Sequence, residues 1–524
     1  MMAEPATTAS QTMAERLEEL GEKRSVVEAM GGEKRVAKQH SQGKLDARQR
    51  LGLLLDDGSF YEQGKFARHN CAYFGMEKKD AAADGVITGS GAIGGRLVHV
   101  ASQDFTTLGG AAGEVHCDKI MAMMQASMKT GSPFVFVNDS GGARVQEGIG
   151  ALAAYGRIFY HNTLLSGLVP QISLICGPCA GGAAYSPALT DFIIQTKQAQ
   201  MFITGPSVIK QVTGEDVTAE ALGGPEAQMT YSGVAHFIAD DDRHAIQICQ
   251  KLLSFLPGSN MEEPPLHAPA DALPDDPDLN RIIPDNPKQP YDMHEVIRRI
   301  VDDGDYLEVL ASFATNLIIC FARINGRTVG IIANQPMQMA GCLDINASDK
   351  SSRFIRFCNA FNIPLVTLVD VPGFLPGVQQ EYGGIIRHGA KMLFVYSAAT
   401  VPKVSVIMRK AYGGAYLAMS GKDLGTDRCV AWPTAEIAVM GAEGAANVVF
   451  RREIAAADDP EAKRAEMIEQ YRRTFSTPYV AAARGMVDDV IAPAETRRYL
   501  ASALETLASK REMRPEKKHG LIPL

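Results

Sequence analysis

PFVFVNDSGGAR (133–144) and PLVTLVDVPGFL (364–375) are the two stretches whose reading decides the fold. Each opens on proline and runs on through mostly apolar residues, valine and phenylalanine in the first and leucine, valine and threonine in the second. Each then reaches an aspartate, Asp139 or Asp370, and breaks at a glycine turn. A short continuous apolar run bounded by turn residues reads as a strand buried on both faces. The second stretch follows the first by 231 residues. That offset returns elsewhere: GRLVHV (95–100) is matched by GRTVGI (326–331) at 231, and VPQISLI (169–175) by VPKVSVI (401–407) at 232. GGA (181–183) and GGA (413–415) also lie 232 apart. Four blocks in one register read as a duplicated domain, and a period this long excludes a solenoid.

Between the apolar runs lie helix-like segments, such as Cys117–Thr130 and Asp349–Phe361. The alternation of the two predicts an α/β fold in each copy. The copies are separated by a change of composition. Pro257–Asp292 holds nine prolines, and proline is excluded from helix interiors and central strands. The expected division is therefore an N-terminal domain over 1–260, a proline-rich linker over 261–290 and a C-terminal domain over 291–524. Ahead of the first copy, Leu17, Leu20, Val27 and Met30 lie near helical spacing, and residues 10–40 read as a helix.

The chain has 524 residues, 52 basic and 60 acidic, for a formal net charge of −8. That balance speaks against a nucleic-acid binder, which carries a basic field. No apolar run is long enough to cross a membrane, and residues 1–35 are too polar for a signal peptide. The expectation is a cytoplasmic protein. The nine cysteines contain one CxxC, Cys176-Gly-Pro-Cys179, with no second pair and no nearby histidine. It follows the apolar run 171–175 and reads as a pair of buried thiols rather than a redox or metal site.

The chemistry falls on glycine turns. Each copy has two, after consecutive strand-like runs: DSGGAR (139–144) and GPCAGGA (177–183), then DVPGF (370–374) and AYGGA (411–415). Two strand-end turns aim backbone N–H groups at one point, and glycine lets an oxygen approach the backbone. The plainer alternative is that the glycines only permit tight turns, but four of them paired by a repeat favour the first reading. No GxxxxGK[ST] occurs. Gly89–Gly94 matches GxGxxG in letters only, lies between strand-like runs and reads as a hairpin turn. His116 and His388 lack an HExxH setting, and Ser140 and Ser186 lack a G-x-S-x-G elbow.

At these turns the chain resembles the biotin-dependent acyl-CoA carboxyltransferases, a branch of the crotonase superfamily. The stretches that carry the resemblance are NDSGGARVQEG (138–148), GPCAGGAAYSPALTDFIIQT (177–196), MFITGP (201–206), LVDVPGFLPGVQQEYGGIIRHGAKM (368–392), RKAYGGAYLAMSGKDLG (409–425) and AWPTAEIAVMGAEGAANVVF (431–450). It covers residues 12 to 520. ASDKSSRFIRFCNAFNIPL (347–365), FRREIAAADDPEAKRAEMIEQY (450–471) and TPYVAAARGMVDDVI (477–491) are most similar to the transcarboxylase branch. Propionyl-CoA carboxylase β subunits and methylmalonyl-CoA decarboxylase α subunits are near relatives.

The resemblance implies two tandem crotonase-like domains of the ClpP/crotonase superfamily. It implies a carboxyl group moved between methylmalonyl-CoA or malonyl-CoA and biotin on a separate carrier. The N-domain donors are expected around Gly142, Ala143, Gly181 and Gly182, facing a thioester enolate. The C-domain donors are expected around Gly373, Phe374, Gly414 and Ala415, facing biotin. Leu417 stands where the carboxylases commonly have Asp and is expected to influence acyl-chain choice or, alternatively, to be helix packing. Lys44, Arg48 and Arg50 are candidates for coenzyme A phosphates, or else exposed helix charges. No metal is expected. The implied partners are a biotin carboxyl carrier, a second carboxyltransferase or biotin carboxylase subunit, and further copies of the chain in a hexamer built from dimers. No nucleic acid and no direct membrane insertion are expected.

Overall fold

The computed structural model describes residues 11–269, 272–286 and 289–524. Residues 1–10 of the expected first domain, residue 10 of the expected first helix, and 270, 271, 287 and 288 of the expected linker lie outside the described residues. The chain divides into two compact units. The first holds the chain up to Gln228 together with Ile238–Gln250; the second holds Met229–Phe237 and Lys251–Leu524.

One eight-stranded sheet comprises β1 (Tyr61–Gln63), β2 (Val86–Ile93), β3 (Arg96–Gln103), β4 (Phe134–Ser140), β5 (Gln171–Ala180), β6 (Phe192–Thr196), β7 (Gln200–Phe202) and β8 (Phe237–Ala239). Its order is β1-β2-β3-β4-β5-β6-β8, with β7 on β5. The other comprises β9 (Tyr306–Val309), β10 (Leu317–Ile324), β11 (Arg327–Asn334), β12 (Leu365–Val371), β13 (Lys403–Tyr412), β14 (Arg428–Ala431), β15 (Glu436–Ala438) and β16 (Asp489–Val490). Its order is β16-β14-β13-β12-β11-β10-β9, with β15 on β13. Strand for strand the two sheets have one topology. Two antiparallel pairs, β1–β2–β3 and β9–β10–β11, lead into parallel pairs that begin at β3–β4 and β11–β12. The repeat read at 231 residues is thus a repeat of a whole α/β unit.

Three helices recur in each unit. The first has α1 (Glu114–Thr130), α2 (Ile149–Leu165) and α3 (Gly182–Ala188). The second has α4 (Ile345–Ala360), α5 (Ile385–Ala398) and α6 (Gly413–Ala418). Val135, Ile172, Leu174 and Ile194 of the first sheet and Val366, Leu368, Val404 and Val406 of the second are fully buried. Each such side chain stabilises the fold by about 1.5–3 kcal/mol relative to exposure. One buried lysine per unit follows the same offset. Lys119 of α1 donates to the carbonyls of Ala83 and Val86. Lys350 of α4 donates to those of Leu310, Phe313 and Leu317. Burial pushes both amines down to about 8.

Three expectations change in detail. The N-terminal segment forms two helices, Met13–Glu28 and Glu33–Ser41, because Met30 (φ +53°) and Gly32 (φ +89°) interrupt it. In the GxGxxG look-alike, Gly89–Ile93 is strand, and the hairpin turns at Gly94-Gly95, both with positive φ. The proline-rich stretch lies in the second unit. Leu279 and Tyr291 are buried there, Asp276 N–H donates to Ala494 O at 3.0 Å, and His267 N–H donates to Gly326 O at 2.9 Å. Among the described residues proline restricts the stretch to one short helical turn at Pro277–Arg281, yet Leu279 and Tyr291 still join the core of the second sheet.

Candidate active site

The parallel pairing of β4 with β5 runs in register to Asn138↔Ile175 and resumes at Ser140↔Cys179. Two residues on β4 therefore face four on β5. β12 and β13 break identically, between Val369↔Ile407 and Val371↔Ala411. Asp139 and Asp370 lie at the breaks. Three residues beyond the last pair, the two chains reach Ala143 and Gly182 in the first unit, and Phe374 and Gly414 in the second.

Hydrogen bonding separates the expected donors. Gly142 N–H donates to Ser140 Oγ at 3.1 Å, and Gly181 N–H to Phe202 O at 3.1 Å. Those two groups are committed. Around Ala143, Ala112 N–H donates to Gly142 O (2.9 Å) and Arg144 N–H to Ala112 O (2.8 Å). The central residue of such a parallel bridge directs its own N–H to the other side. Gly182 opens α3, where the first N–H groups have no partner within the helix. The second unit repeats the bridge and the helix start. Leu343 N–H donates to Gly373 O at 3.1 Å and Leu375 N–H to Leu343 O at 2.7 Å, on either side of Phe374. Gly414 is the second residue of α6. The N–H groups of Ala143, Gly182, Phe374 and Gly414 have no acceptor among the described residues. Ala143 and Gly414 are exposed, Gly182 and Phe374 half-buried, and Ala415 buried.

The backbone around these groups is held tightly. Gly142 has φ +100°, and a Cβ there would lie 3.1 Å from Ala180 O, so the two turns of the first unit approach each other. Arg144 pins the turn from behind, with Nη1 on Asp84 (2.7 Å) and Glu147 (2.8 Å) and Nη2 on Ala111 O (2.8 Å). Gly182 packs under Tyr155, whose ring would lie 3.4 Å from a Cβ; burial holds that phenol above its usual pKa range. A Cβ on Gly414 would meet nothing within 4 Å.

None of the basic candidates is an exposed helix charge. Arg50 is fully buried, with Nε on Asp242 and Nη1 on Asp139, each at 2.9 Å. It has nothing to offer a phosphate. Lys44 is bound to Asp139 at 2.7 Å and lies 5.2 Å from the centre of the Phe105 ring. Arg48 makes a two-pronged pair with Glu62 at 3.0 and 3.2 Å. All three are ion-paired within the chain. Leu417 is half-buried on α6, and a Cβ on Gly421 would lie 3.2 Å from its Cδ2. Burial pushes the Cys179 thiol up to about 12 and the Cys176 thiol well above its usual range. Neither is a ready nucleophile.

Sequence reasoning passed over Asp139 and Asp370 as mere turn residues. Asp139 N–H donates to Gln103 Oε1 (3.1 Å) and Asp370 N–H to Asn334 Oδ1 (3.2 Å). The signal was present, because both the aspartates and their amide partners recur at 231. Among the described residues no group of three or more His, Cys, Asp or Glu is arranged to hold a metal, and no helix is long and apolar enough to cross a membrane.

One α/β unit used twice, each copy ending two parallel strands in an open pair of N–H groups, defines a duplicated crotonase-like protein. Comparison with known proteins agrees. The carboxyl transferase domain family matches residues 38–522, and the chain belongs to that family. It is 64% identical over 512 residues to the methylmalonyl-CoA carboxyltransferase 12S subunit of Propionibacterium freudenreichii subsp. shermanii, covering 98% of each chain. It is 59% identical to the methylmalonyl-CoA decarboxylase subunit alpha of Veillonella parvula, covering 98% of this chain and 100% of the relative. The crystal structure of transcarboxylase 12S, a hexamer assembly with methylmalonyl-coenzyme A and methylmalonic acid bound, superposes with a TM-score of 0.97 at 63% identity. That match covers 99% of this chain and 100% of the other.

Proposed function

We propose that this chain is a carboxyltransferase subunit that moves a carboxyl group between methylmalonyl-CoA, or malonyl-CoA, and biotin on a separate carrier protein. The product on the thioester side is propionyl-CoA or acetyl-CoA. The observation that carries the reading is the recurrence, at equal offsets, of two N–H groups without acceptors at a paired strand end. One reaction then has two oxygens to stabilise and one fold supplies two holes.

In the first unit, Ala143 and Gly182 N–H bind the thioester oxygen. Loss of carboxylate from the α carbon places negative charge on that oxygen, and fixed donors meet the charge without reorganising. A donor of this kind is worth ~3–4 kcal/mol in the barrier. In the second unit, Phe374 and Gly414 N–H bind and orient a second oxygen, and the space around Gly414 is open, with nothing within 4 Å of an added Cβ. Biotin, when bound, would supply the ureido nitrogen that takes the carboxyl group and gives up its proton to the α carbon, or the reverse. Leu417, one helical turn beyond Gly414, is read as part of the wall that selects the acyl chain.

Apolar residues next to the donor turns stand exposed in the single chain: Val145 and Ile149 in the first unit, and Val378, Tyr382 and Ile386 in the second. Exposed apolar patches of this kind mark interaction surfaces. Together with the hexamer assembly of the related 12S subunit, they support a homo-hexamer in which neighbouring copies complete the sites. Propionyl-CoA carboxylases and methylmalonyl-CoA decarboxylases use the same half-reaction, so the partner subunit sets its direction. The test supplies methylmalonyl-CoA and free biotin, or a biotinylated carrier, without ATP. Propionyl-CoA formation that depends on biotin is expected; none at any biotin concentration overturns the reading.

A further inference from the structure

The register breaks that carry the donor turns are held in the two units by the same carboxylate but by different cations. In the second unit both charged or N–H contacts that bridge the break come from the strand itself. Asp370 Oδ1 accepts Lys410 N–H at 3.1 Å, and Oδ2 accepts Arg409 Nε at 2.9 Å. Arg409 lies 4.9 Å from the centre of the Tyr291 ring and donates to Gln289 O at 2.9 Å. The carboxylate therefore ties β12 to the extra residues of β13.

In the first unit the matching residues, 232 positions earlier, are Gly177 and Pro178 in place of Arg409 and Lys410. Proline has no N–H and glycine no side chain, so both of the strand's own contacts to the carboxylate are missing. The vacated volume is filled from far away in sequence. A Cβ on Gly177 would lie 1.9 Å from Asp139 Oδ1 and 2.5 Å from Lys44 Nζ. Lys44 Nζ donates to Asp139 Oδ1 at 2.9 Å, and Arg50 Nη1 to Oδ2 at 2.9 Å. Arg50 also reaches β5 through Nη2 to Cys176 O (3.3 Å), and it is steadied by Asp242 (2.9 Å). Lys44 replaces the missing N–H, and Arg50 replaces the missing arginine.

We propose that Asp139 and Asp370 are positioning residues that set the separation of the two N–H donors in each unit, and that the first unit's clamp depends on Lys44 and Arg50 from the segment before the sheet. The proposal rests on the reading of Ala143 and Gly182 as oxyanion donors. Fixing two strand ends matters because a displacement of about 1 Å in a reacting geometry costs up to about a hundredfold in rate.

The test uses the full-length protein and acetoacetyl-CoA, whose enolate absorbs in the near ultraviolet and whose thioester oxygen carries the charge that the hole binds. Propionyl-CoA serves as the uncharged reference ligand. Lys44→Met leaves Asp139 paired with Arg50, so folding is retained, and a thermal melt verifies that. The expected result is a fall of about tenfold in the enolate-to-keto ratio of bound acetoacetyl-CoA. Propionyl-CoA affinity stays within about twofold, and Lys44→Arg restores the ratio. Asp370→Asn, whose carboxylate belongs to the other unit, leaves the enolate ratio at the wild-type value. A folded Lys44→Met protein with an unchanged ratio, or one that loses both ligands equally, overturns the proposal. Gly182→Val separates the two ideas. If the wild type does not enrich the enolate, or if Gly182→Val keeps it, the donor reading itself fails and the clamp falls with it.

Discussion

Gly414→Ala should make the protein more stable and much less active. The residue is second in α6, its φ is not in the left-handed region, and an added Cβ would meet nothing within 4 Å. The fold places no steric demand for glycine there. Alanine is favoured over glycine in helices by up to about 1 kcal/mol, less in a first turn, so the variant should gain a few tenths to about 1 kcal/mol. The new methyl, however, lies about 2.5 Å from the donor nitrogen by covalent geometry, inside the space that a bound ligand enters. If that displaces the oxygen from one donor, the expected loss is about 10²–10³ in kcat, or ~2.7–4 kcal/mol in the barrier. The assay pairs a thermal melt with carboxyl transfer from methylmalonyl-CoA to free biotin, and measures methylmalonyl-CoA affinity separately. That affinity should hold, because the proposed function gives the thioester side to the other unit's donors. A stabilised variant that transfers carboxyl within twofold of wild type would refute the argument, since the open space at Gly414 would then receive no substrate.

Leu417→Asp should shift the ratio of kcat/KM values for methylmalonyl-CoA and malonyl-CoA by an amount worth about 1–3 kcal/mol, the scale of one methylene in a pocket; an unchanged ratio in a folded variant assigns Leu417 to packing. Dilution followed by light scattering should show activity vanishing with dissociation to monomer, and full activity in a monomer population would contradict sites completed by neighbouring copies. Acid should destabilise the protein through His116, whose Nδ1 lies 2.8 Å from Asp84 O. Burial, with Arg144 adding to it, pushes its pKa down to about 3. Because the folded pKa lies below the unfolded value near 6.5, this stability is fully present above about pH 6.5. It is lost as pH falls toward 3, amounting to about 2 kcal/mol by pH 5. Urea midpoints at pH 7.5 and pH 5 should therefore differ less in His116→Gln than in wild type, and an equal difference in both would exonerate this histidine.

The sequence by itself determined the duplication and pointed to the glycine turns as the proposed place of the chemistry. The offset of 231 to 232 is a property of residue order. Buried parallel strands ending in glycine turns announce themselves because a strand covered on both faces must be apolar throughout, and the turn after it must be free of bulk. The same order of residues could not say which turn N–H groups remain open. Gly142 and Gly181 look as suitable as Ala143 and Gly182 until Ser140 Oγ and the Phe202 carbonyl are found to occupy them. It also misplaced Lys44 and Arg50, which read as surface cations in a polar segment. Their partners lie 95 residues away at Asp139 and 192 residues away at Asp242. Hydrogen bonds and ion pairs depend on distances of about 3 Å in space, and separation along the chain sets no such distance. Only the folded sheet brings a buried carboxylate, a glycine without a side chain and a proline without an N–H to the one point where those two cations are needed.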